Sequence, residues 1–347
     1  MTIAVIGAGA IGCVVAGYLS KAGQPACRQG RDVLLVGRDD QVKAINANGL
    51  TIKGARGSAN IRVRTVPRLD KPYDLVIFTV KTQDLEKAFE QNSEYLGTGL
   101  VLTSQNGVQA DHLLSGHFDR SRQMSSIVMF GATYVKPGEV TFNFEGDWII
   151  GRPSTPLDPT AHKVGEVLGK AFKVVVDPDI MGMKYLKLFV NFNNCIPALI
   201  GKSMQETFAD RNLCRLSIML LKEGLDIIRL AKIEMVSMPD FPKEKIFALA
   251  DMPLEQAAGI IHKTLTGLSK EPLYGSILQS IMRGKTSEIE FINGEAVRLA
   301  EHLHCPAPLN ERVVDMVHEV ERTGKFFSVD HVKREFNLEE KICHHQN

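Results

Sequence analysis

The sequence predicts an α/β chain: a doubly wound, mostly parallel sheet in the N-terminal half, followed by an all-helical domain. Three observations lead there. A short apolar run, Thr2-Ile3-Ala4-Val5-Ile6, passes at once into Gly7-Ala8-Gly9-Ala10-Ile11-Gly12 and then into a small-residue helical stretch over 13–19. The first half alternates strand patterns with helical ones. From Ile180 onward the periodic segments have helical spacing.

The elements follow in order. After the first strand and helix, Val33–Val36 reads as a second strand and residues 39–47 as a helix. Residues 61–66 read as another strand. Residues 74–80, almost wholly apolar, are of the kind buried on both faces of a parallel sheet. A helix over 82–91 and a strand over 99–103 come next. Residues 128–134, 139–144 and 147–150 are short strands separated by Pro137-Gly138 and Glu145-Gly146, which suggests hairpins at the sheet edge. One helix–strand pair spans 160–176, and Asp177-Pro178-Asp179 marks a boundary. Helices are then expected over 183–199, 211–232, 253–268, 288–304 and 310–321. The domain plan is 1–178 for the sheet domain, 179–335 for the helical domain and 336–347 for a polar tail. Residues 24–31 lengthen the first helix-to-strand connection beyond the usual few residues and read as a surface loop.

Composition narrows the function classes. A chain of 347 residues with 44% hydrophobic and 23% charged residues is an ordinary globular protein, long enough for two domains. A net charge of +1 argues against nucleic acid as a partner. The six cysteines, Cys13, Cys27, Cys195, Cys214, Cys305 and Cys343, are scattered without metal-ligand spacing, so no metal is expected and reduced thiols in the cytoplasm are. The first core strand stands at the very start, so no cleavable leader is expected. No apolar run of about 18 residues is present, so no membrane span is expected.

The glycine-rich turn has a defined use. Between strand and helix, G-x-G-x-x-G is the fingerprint of a Rossmann dinucleotide site. Gly7 permits the tight turn, Gly9 lets the backbone approach a pyrophosphate, and Gly12 lets the helix pack close to the strand. The intervening Ala8, Ala10 and Ile11 bring the helix N-terminus, with its N–H groups and positive dipole end, toward the phosphates. The end of the second strand then selects the cofactor. An NAD site places a carboxylate there for the ribose 2′-hydroxyl, whereas this chain has Gly37-Arg38. A guanidinium suits a 2′-phosphate, so the expected cofactor is NADP. Asp39 and Asp40, just after, are expected to cap the next helix.

Two further clusters stand out. Thr79-Val80-Lys81 and Ser104-Gln105-Asn106-Gly107 close two adjacent strands, where a nicotinamide would lie. On the helix near Met183, Lys184, Lys187, Asn191 and Asn194 fall at spacings of three, four and three among Leu, Phe, Val and Ile. Such a stripe either faces water or lines a site, and asparagine is a poor helix-interior residue for a plain solvent face.

Together with Gly275-Ser276-Ile277-Leu278-Gln279 and Ser287-Glu288-Ile289-Glu290-Phe291-Ile292-Asn293-Gly294-Glu295, these segments give the chain its likeness. It resembles the ketopantoate reductase (2-dehydropantoate 2-reductase) family over nearly its whole length. GAGAIG, VGR, TVK, QNG, KLFVN, S-x-L-Q and SEIEFINGE occur in the family's order. The resemblance implies roles. Lys187 matches the family's general acid, and Asn191 the asparagine one turn later. Asn106 matches the asparagine beside nicotinamide and substrate. Ser276 and Glu288 match residues that hold the substrate, and Lys81 and Arg38 match cofactor contacts. The family helix commonly carries a second asparagine four residues past the first; here that position is Cys195. Asn194 is the candidate substitute, projecting about 100° away around an ideal helix.

The chemistry implied is hydride transfer from NADPH to a 2-keto acid, 2-dehydropantoate by the resemblance, giving pantoate for pantothenate and coenzyme A synthesis. Lys187, Glu288 and Asn106 would carry the chemistry, and Asn191, Asn194 and Ser276 would hold the substrate. Two alternatives stay open: reduction of a different 2-keto acid on the same scaffold, motivated by Cys195, and a regulatory protein that binds NADPH without turnover. A homodimer and a monomer fit the sequence equally.

Overall fold

The computed structural model describes residues 1–23 and 32–338; the long connection at 24–31 and the chain from 339 lie outside the described residues. Two compact units are present, Met1–Met181 and a second from Gly182 onward.

The N-terminal unit is built on β1 (Ile3–Ile6), β2 (Val33–Val36), β3 (Leu50–Gly54), β4 (Ala59–Ile61), β5 (Arg64–Val66), β6 (Leu75–Phe78), β7 (Leu100–Thr103), β8 (Gln123–Val128), β9 (Gly131–Lys136), β10 (Glu139–Phe144), β11 (Trp148–Gly151) and β12 (Val174–Val176). Its helices are α1 (Ala10–Ala22), α2 (Asp39–Asn48), α3 (Leu85–Glu90), α4 (Gln109–Ser115) and α5 (Pro159–Leu168).

The main sheet has eight strands in the order β12-β11-β8-β7-β6-β1-β2-β5. Its centre is parallel: Ile3 pairs with Val33 on one side and with Leu75 on the other. Taken in chain order, the six strands from β5 to β8 run 3-2-1-4-5-6, the doubly wound arrangement, with the order reversing between β1 and β6. β1, β2 and β6 are buried along their whole length, which is why they read as unbroken apolar runs rather than alternating ones.

The expectation of hairpins at the sheet edge is corrected. β9 and β10 form a hairpin, but it belongs to a separate four-stranded sheet, β4-β3-β10-β9. The strand expected over 61–66 is likewise two strands, β4 in the small sheet and β5 in the large one. The physical reason is α1, which is buried on nearly all sides. A helix of Val, Ala, Gly, Tyr and Leu with no polar face needs cover away from the main sheet. The small sheet supplies it through Leu50, Ile52, Val140 and Phe142, which share one core with Val14, Tyr18 and Leu19. The strand expected over 128–134 is β9, beginning at Gly131, while β8 (Gln123–Val128) lies almost wholly before it, in a stretch without an expected strand; β8 extends the parallel sheet, and β11 pairs antiparallel with it.

The unit from Gly182 onward is helical: α6 (Ile180–Asn191), α7 (Cys195–Ile200), α8 (Met204–Phe208), α9 (Arg211–Leu230), α10 (Glu244–Asp251), α11 (Leu254–Thr266), α12 (Ser276–Ile281), α13 (Asn293–Leu303), α14 (Pro308–Thr323) and α15 (Val329–Glu335). α9 is the hub. Leu213, Leu216, Leu220 and Ile227 recur at helical spacing and are buried. α9 also caps α14: the Glu223 carboxylate accepts from Leu309 N at 2.9 Å and from Asn310 N at 2.7 Å. Those are first-turn N–H groups that the helix itself cannot satisfy. The polar tail expected from 336 is corrected at its first residues, because Phe336 and Leu338 are buried against the unit. No helix among the described residues is long and apolar enough to cross a membrane.

Two expected helices are broken. The one expected over 183–199 stops at Asn191, passes through a 3₁₀ turn at Phe192–Asn194 and restarts as α7. Pro197 is the reason: it has no N–H for a bond to the residue 193 carbonyl, and its ring excludes that carbonyl from helical register. The one expected over 288–304 begins as a 3₁₀ turn, Ile289–Phe291, and becomes α-helical only at Asn293.

Candidate functional site

In the N-terminal unit the site is built where β2, β1, β6 and β7, four neighbouring strands, end. The glycine-rich loop leaves β1, Arg38 follows β2, Lys81 follows β6 and Asn106 follows β7. The sheet therefore sets these groups along one rim, astride the point where the strand order reverses.

Each loop glycine has a separate requirement. Gly7 has φ +120°, closed to other residues, and a Cβ there would lie 2.6 Å from Val80 N. At Gly12 a Cβ would lie 1.9 Å from the Gly7 carbonyl oxygen. At Gly9 the backbone is ordinary (φ −83°) and nothing lies within 4 Å of a Cβ. Gly9 is also the N-cap of α1, with no side-chain cap and no acidic residue in the first turn. An open approach to a helix N-terminus, with no carboxylate competing for it, is what a pyrophosphate needs, so these residues fit a dinucleotide.

Three side chains hold the rim in place, and sequence reading did not assign them that work. Thr79 Oγ1 donates to the Gly7 carbonyl at 2.8 Å, tying the end of β6 to the glycine loop. Gln41, 2% exposed, donates to the Ala8 carbonyl at 2.8 Å and accepts from Gly138 N at 2.9 Å. Gln105 donates to the carbonyls of Phe78 at 3.1 Å and Val80 at 2.8 Å, and accepts from Ser104 N at 2.9 Å. It thereby joins the two strand ends that present Lys81 and Asn106. The Phe78 carbonyl also accepts from Ser104 Oγ at 2.8 Å, so Gln105→Ala is expected chiefly to take the donor from the Val80 carbonyl and to cost about 1–3 kcal/mol of stability, read by urea denaturation against wild type.

Arg38 is the N-cap of α2 and well exposed, with Asp40 Oδ1 at 3.9 Å from its Nε. The capping expected of Asp39 and Asp40 is corrected: neither is the N-cap. They sit in the first turn, where their charge favours the helix dipole.

In the helical unit, α6 carries Lys184, Lys187 and, as its last residue, Asn191. Lys184 is 2% exposed. Burial and the neighbouring Lys184 charge push the Lys187 ammonium down to about 8 from its ordinary 10.5, and the Glu288 carboxylate opposes them. Two lysines and a glutamate thus share one field. Glu288 lies just before the 3₁₀ turn at Ile289–Phe291 and is half-buried.

The break after Asn191 changes the placement of the last stripe residue. Asn194 Oδ1 would lie 2.6 Å from a Cβ at Gly275, the N-cap of α12. Asn194 is therefore packed against the turn that presents Ser276. Cys195 turns inward: it is 0% exposed, its thiol donates to the Phe192 carbonyl at 3.0 Å, and burial pushes the thiol up to about 12. A buried neutral thiol committed to a backbone carbonyl offers no polar group to a ligand. Asn193 is committed too, accepting from Ser217 Oγ at 2.5 Å.

Comparison with known proteins agrees with this architecture along the chain. The family model described as ketopantoate reductase PanE/ApbA matches residues 3–155, and its C-terminal counterpart matches 179–321. The 2-dehydropantoate 2-reductase of Pyrococcus horikoshii is 29% identical over 329 residues, covering 93% of this chain and 99% of that protein. That of Aquifex aeolicus is 26% identical over 330 residues, covering 91% and 96%. Among solved structures, a PanE/ApbA family ketopantoate reductase from Ralstonia eutropha superposes with a TM-score of 0.76 at 24% identity, covering 93% of this chain and 99% of that one. A D-mandelate dehydrogenase bound to NADH and anilino(oxo)acetate superposes with a TM-score of 0.79 at 19% identity and the same coverage. With both halves of the chain matched by the two family models and the nicotinamide-dinucleotide fold in place, the chain belongs to the ketopantoate reductase family of oxidoreductases.

Proposed function

We propose that this protein reduces a 2-keto acid, 2-dehydropantoate first among candidates, to the 2-hydroxy acid, using NADPH. The observation that carries the reading is Lys187: a lysine brought down to about 8, with Lys184 and Glu288 acting on it. Such a group can give up a proton near neutral pH, where an ordinary lysine holds its own too tightly.

Residues 1–178 bind the cofactor in this reading and 179–335 the substrate. The Gly7–Gly12 loop and the start of α1 take the pyrophosphate, Arg38 the 2′-phosphate, and Lys81 a further cofactor oxygen. The bound cofactor supplies the hydride; the protein supplies orientation and the proton. Lys187 protonates the carbonyl oxygen as negative charge grows there. Asn106 donates a hydrogen bond that orients the carbonyl or the nicotinamide edge. Ser276 and Asn191 hold the carboxylate, and Glu288 accepts from the substrate hydroxyl while helping Lys187 keep its proton. Asn194, against the turn of Ser276, takes the distal contact that buried Cys195 cannot make. The buried thiols Cys13, Cys195 and Cys214 support a reducing, cytoplasmic setting.

The test is NADPH oxidation with 2-dehydropantoate beside pyruvate, 2-ketoisovalerate and 2-ketoisocaproate, with NADH as control cofactor. Selective turnover of 2-dehydropantoate supports the reading. Turnover of another acid alone moves the assignment to the second reading that Cys195 motivates, a different 2-keto acid. NADPH binding without any turnover sinks both. Arg38→Ala is expected to raise the KM for NADPH about tenfold to hundredfold, the worth of one charge-assisted contact, and to leave the KM for NADH nearly unchanged. An equal effect on both cofactors would remove Arg38 from the 2′-phosphate.

A further inference from the structure

Glu288 is a site residue without a regular element leading into it. The preceding residues, Met282 through Thr286, are exposed and belong to no helix or strand. A carboxylate that must stand at a fixed place needs its backbone held by something else. α14 does the holding, on both sides of Glu288.

Before Glu288, Ser287 N donates to Glu321 Oε1 at 2.6 Å. After it, Glu290 Oε1 lies 2.6 Å from His318 Nε2. His318 and Glu321 are one turn apart on α14, and their side chains meet, with His318 Nδ1 at 3.1 Å from Glu321 Oε2. The Glu321 carboxylate is only 10% exposed, so both its oxygens are committed, one to the Ser287 backbone and one to the imidazole. The turn itself is closed by Phe291 N donating to the Glu288 carbonyl at 3.0 Å and by Ile289, fully buried. α14 is in turn fixed to α9 through Glu223.

We propose that Glu321, oriented by His318, is a positioning residue: it grips the backbone at Ser287 and so sets where the Glu288 carboxylate stands. This rests on the reading of Glu288 as a substrate and lysine partner. Burial opposes protonation of His318, but its hydrogen bonds to Glu290 and Glu321 outweigh that and raise its pKa. Each ring nitrogen faces a carboxylate oxygen, Nε2 that of Glu290 and Nδ1 that of Glu321, so the three side chains form one connected chain whose bonds are charge-assisted when the ring carries both protons.

The experiment is a double-mutant cycle on the full chain. Glu321→Ala and Glu288→Gln are made singly and together, with kcat, KM for the keto acid and KM for NADPH measured for each. Glu321→Ala is expected to lower kcat about tenfold to hundredfold, the cost of a misplaced group, with the KM for NADPH unmoved. In the Glu288→Gln background the same substitution is expected to cost clearly less in kcat, because the charge that Glu321 positions beside Lys187 is gone and only an amide oxygen remains to be placed. Glu321→Gln, which keeps an oxygen for Ser287 N, is expected to retain most of the activity. Equal losses in both backgrounds, or no loss from Glu321→Ala, overturn the proposal. If Glu288→Gln itself leaves turnover at the wild-type level, it is the reading of Glu288 that falls. Should Glu321→Ala not fold, His318→Gln enters the same cycle under the same criterion.

Discussion

Lys187→Ala is expected to lose most of the turnover, on the order of 10²–10⁴-fold in kcat, while NADPH binding is kept. The separation follows from the proposed roles: Lys187 acts on the keto acid, whereas the Gly7–Gly12 loop and Arg38 hold the dinucleotide. The pH dependence gives a sharper test. A general acid must carry its proton, and Lys187 is held down to about 8 by burial and by Lys184. Keto acid reduction should therefore be flat through neutrality and fall above about 8, by about tenfold per pH unit. A lysine at its ordinary 10.5 would hold the rate about two and a half pH units further, so the position of the alkaline limb distinguishes the two. Glu288→Gln removes the charge that opposes the downward push and should move that limb to lower pH. Lys187→Arg keeps a cation but cannot release a proton in this range, so it should be nearly as impaired as alanine. Near-wild-type kcat in Lys187→Ala would place the acid elsewhere, with buried Lys184, one turn earlier, the first residue to test next.

The two groups of candidate residues, one in each unit, differ in how far the sequence reveals them. The dinucleotide loop was legible because each of its requirements is local. Gly7, Gly9 and Gly12 sit in six consecutive residues between a strand and a helix, and backbone geometry alone explains them. The relative placement of Lys187 and Asn191 was legible because their four-residue spacing survives in α6. The placement of Asn194 was not, since a spacing argument assumes an unbroken helix and Pro197 breaks this one. The small sheet was hidden for a related reason. β3 and β10 pair across more than eighty residues of chain, and nothing in a short window says which sheet a strand joins. Buried polar staples are the hardest to read. Gln41 lies in the helix after Arg38 and looks like any surface glutamine; its burial against Ala8 and Gly138 exists only once the small sheet has formed. Glu321 is similar, because its partner Ser287 N is a backbone group that no composition or periodicity marks.

Gly12→Ala and Gly9→Ala are expected to fail in opposite ways, and the contrast tests the cofactor site without reference to turnover. At Gly12 the new methyl would meet the Gly7 carbonyl oxygen at 1.9 Å and Thr79 Oγ1 at 2.5 Å. That oxygen cannot easily withdraw: it accepts from Thr79 at 2.8 Å, and Gly7 N is bonded to the Val36 carbonyl at 2.9 Å. Forcing the loop apart costs roughly 1–3 kcal/mol or more, far above the gain from alanine in a helix. The melting temperature should drop by roughly 2–4 °C for each kcal/mol, and NADPH binding should be lost with the loop. Gly9→Ala should melt close to wild type, since φ −83° suits alanine and no atom lies within 4 Å of the added carbon. Its binding of NADPH should nevertheless weaken by at least about tenfold, because one overfilled contact of this size costs over 1 kcal/mol. Neither strain nor packing in the protein requires glycine at position 9, so the requirement must come from whatever approaches that helix end. A Gly9→Ala protein that melts normally and binds NADPH as tightly as wild type would show that no pyrophosphate passes there, and would move the cofactor off α1 altogether.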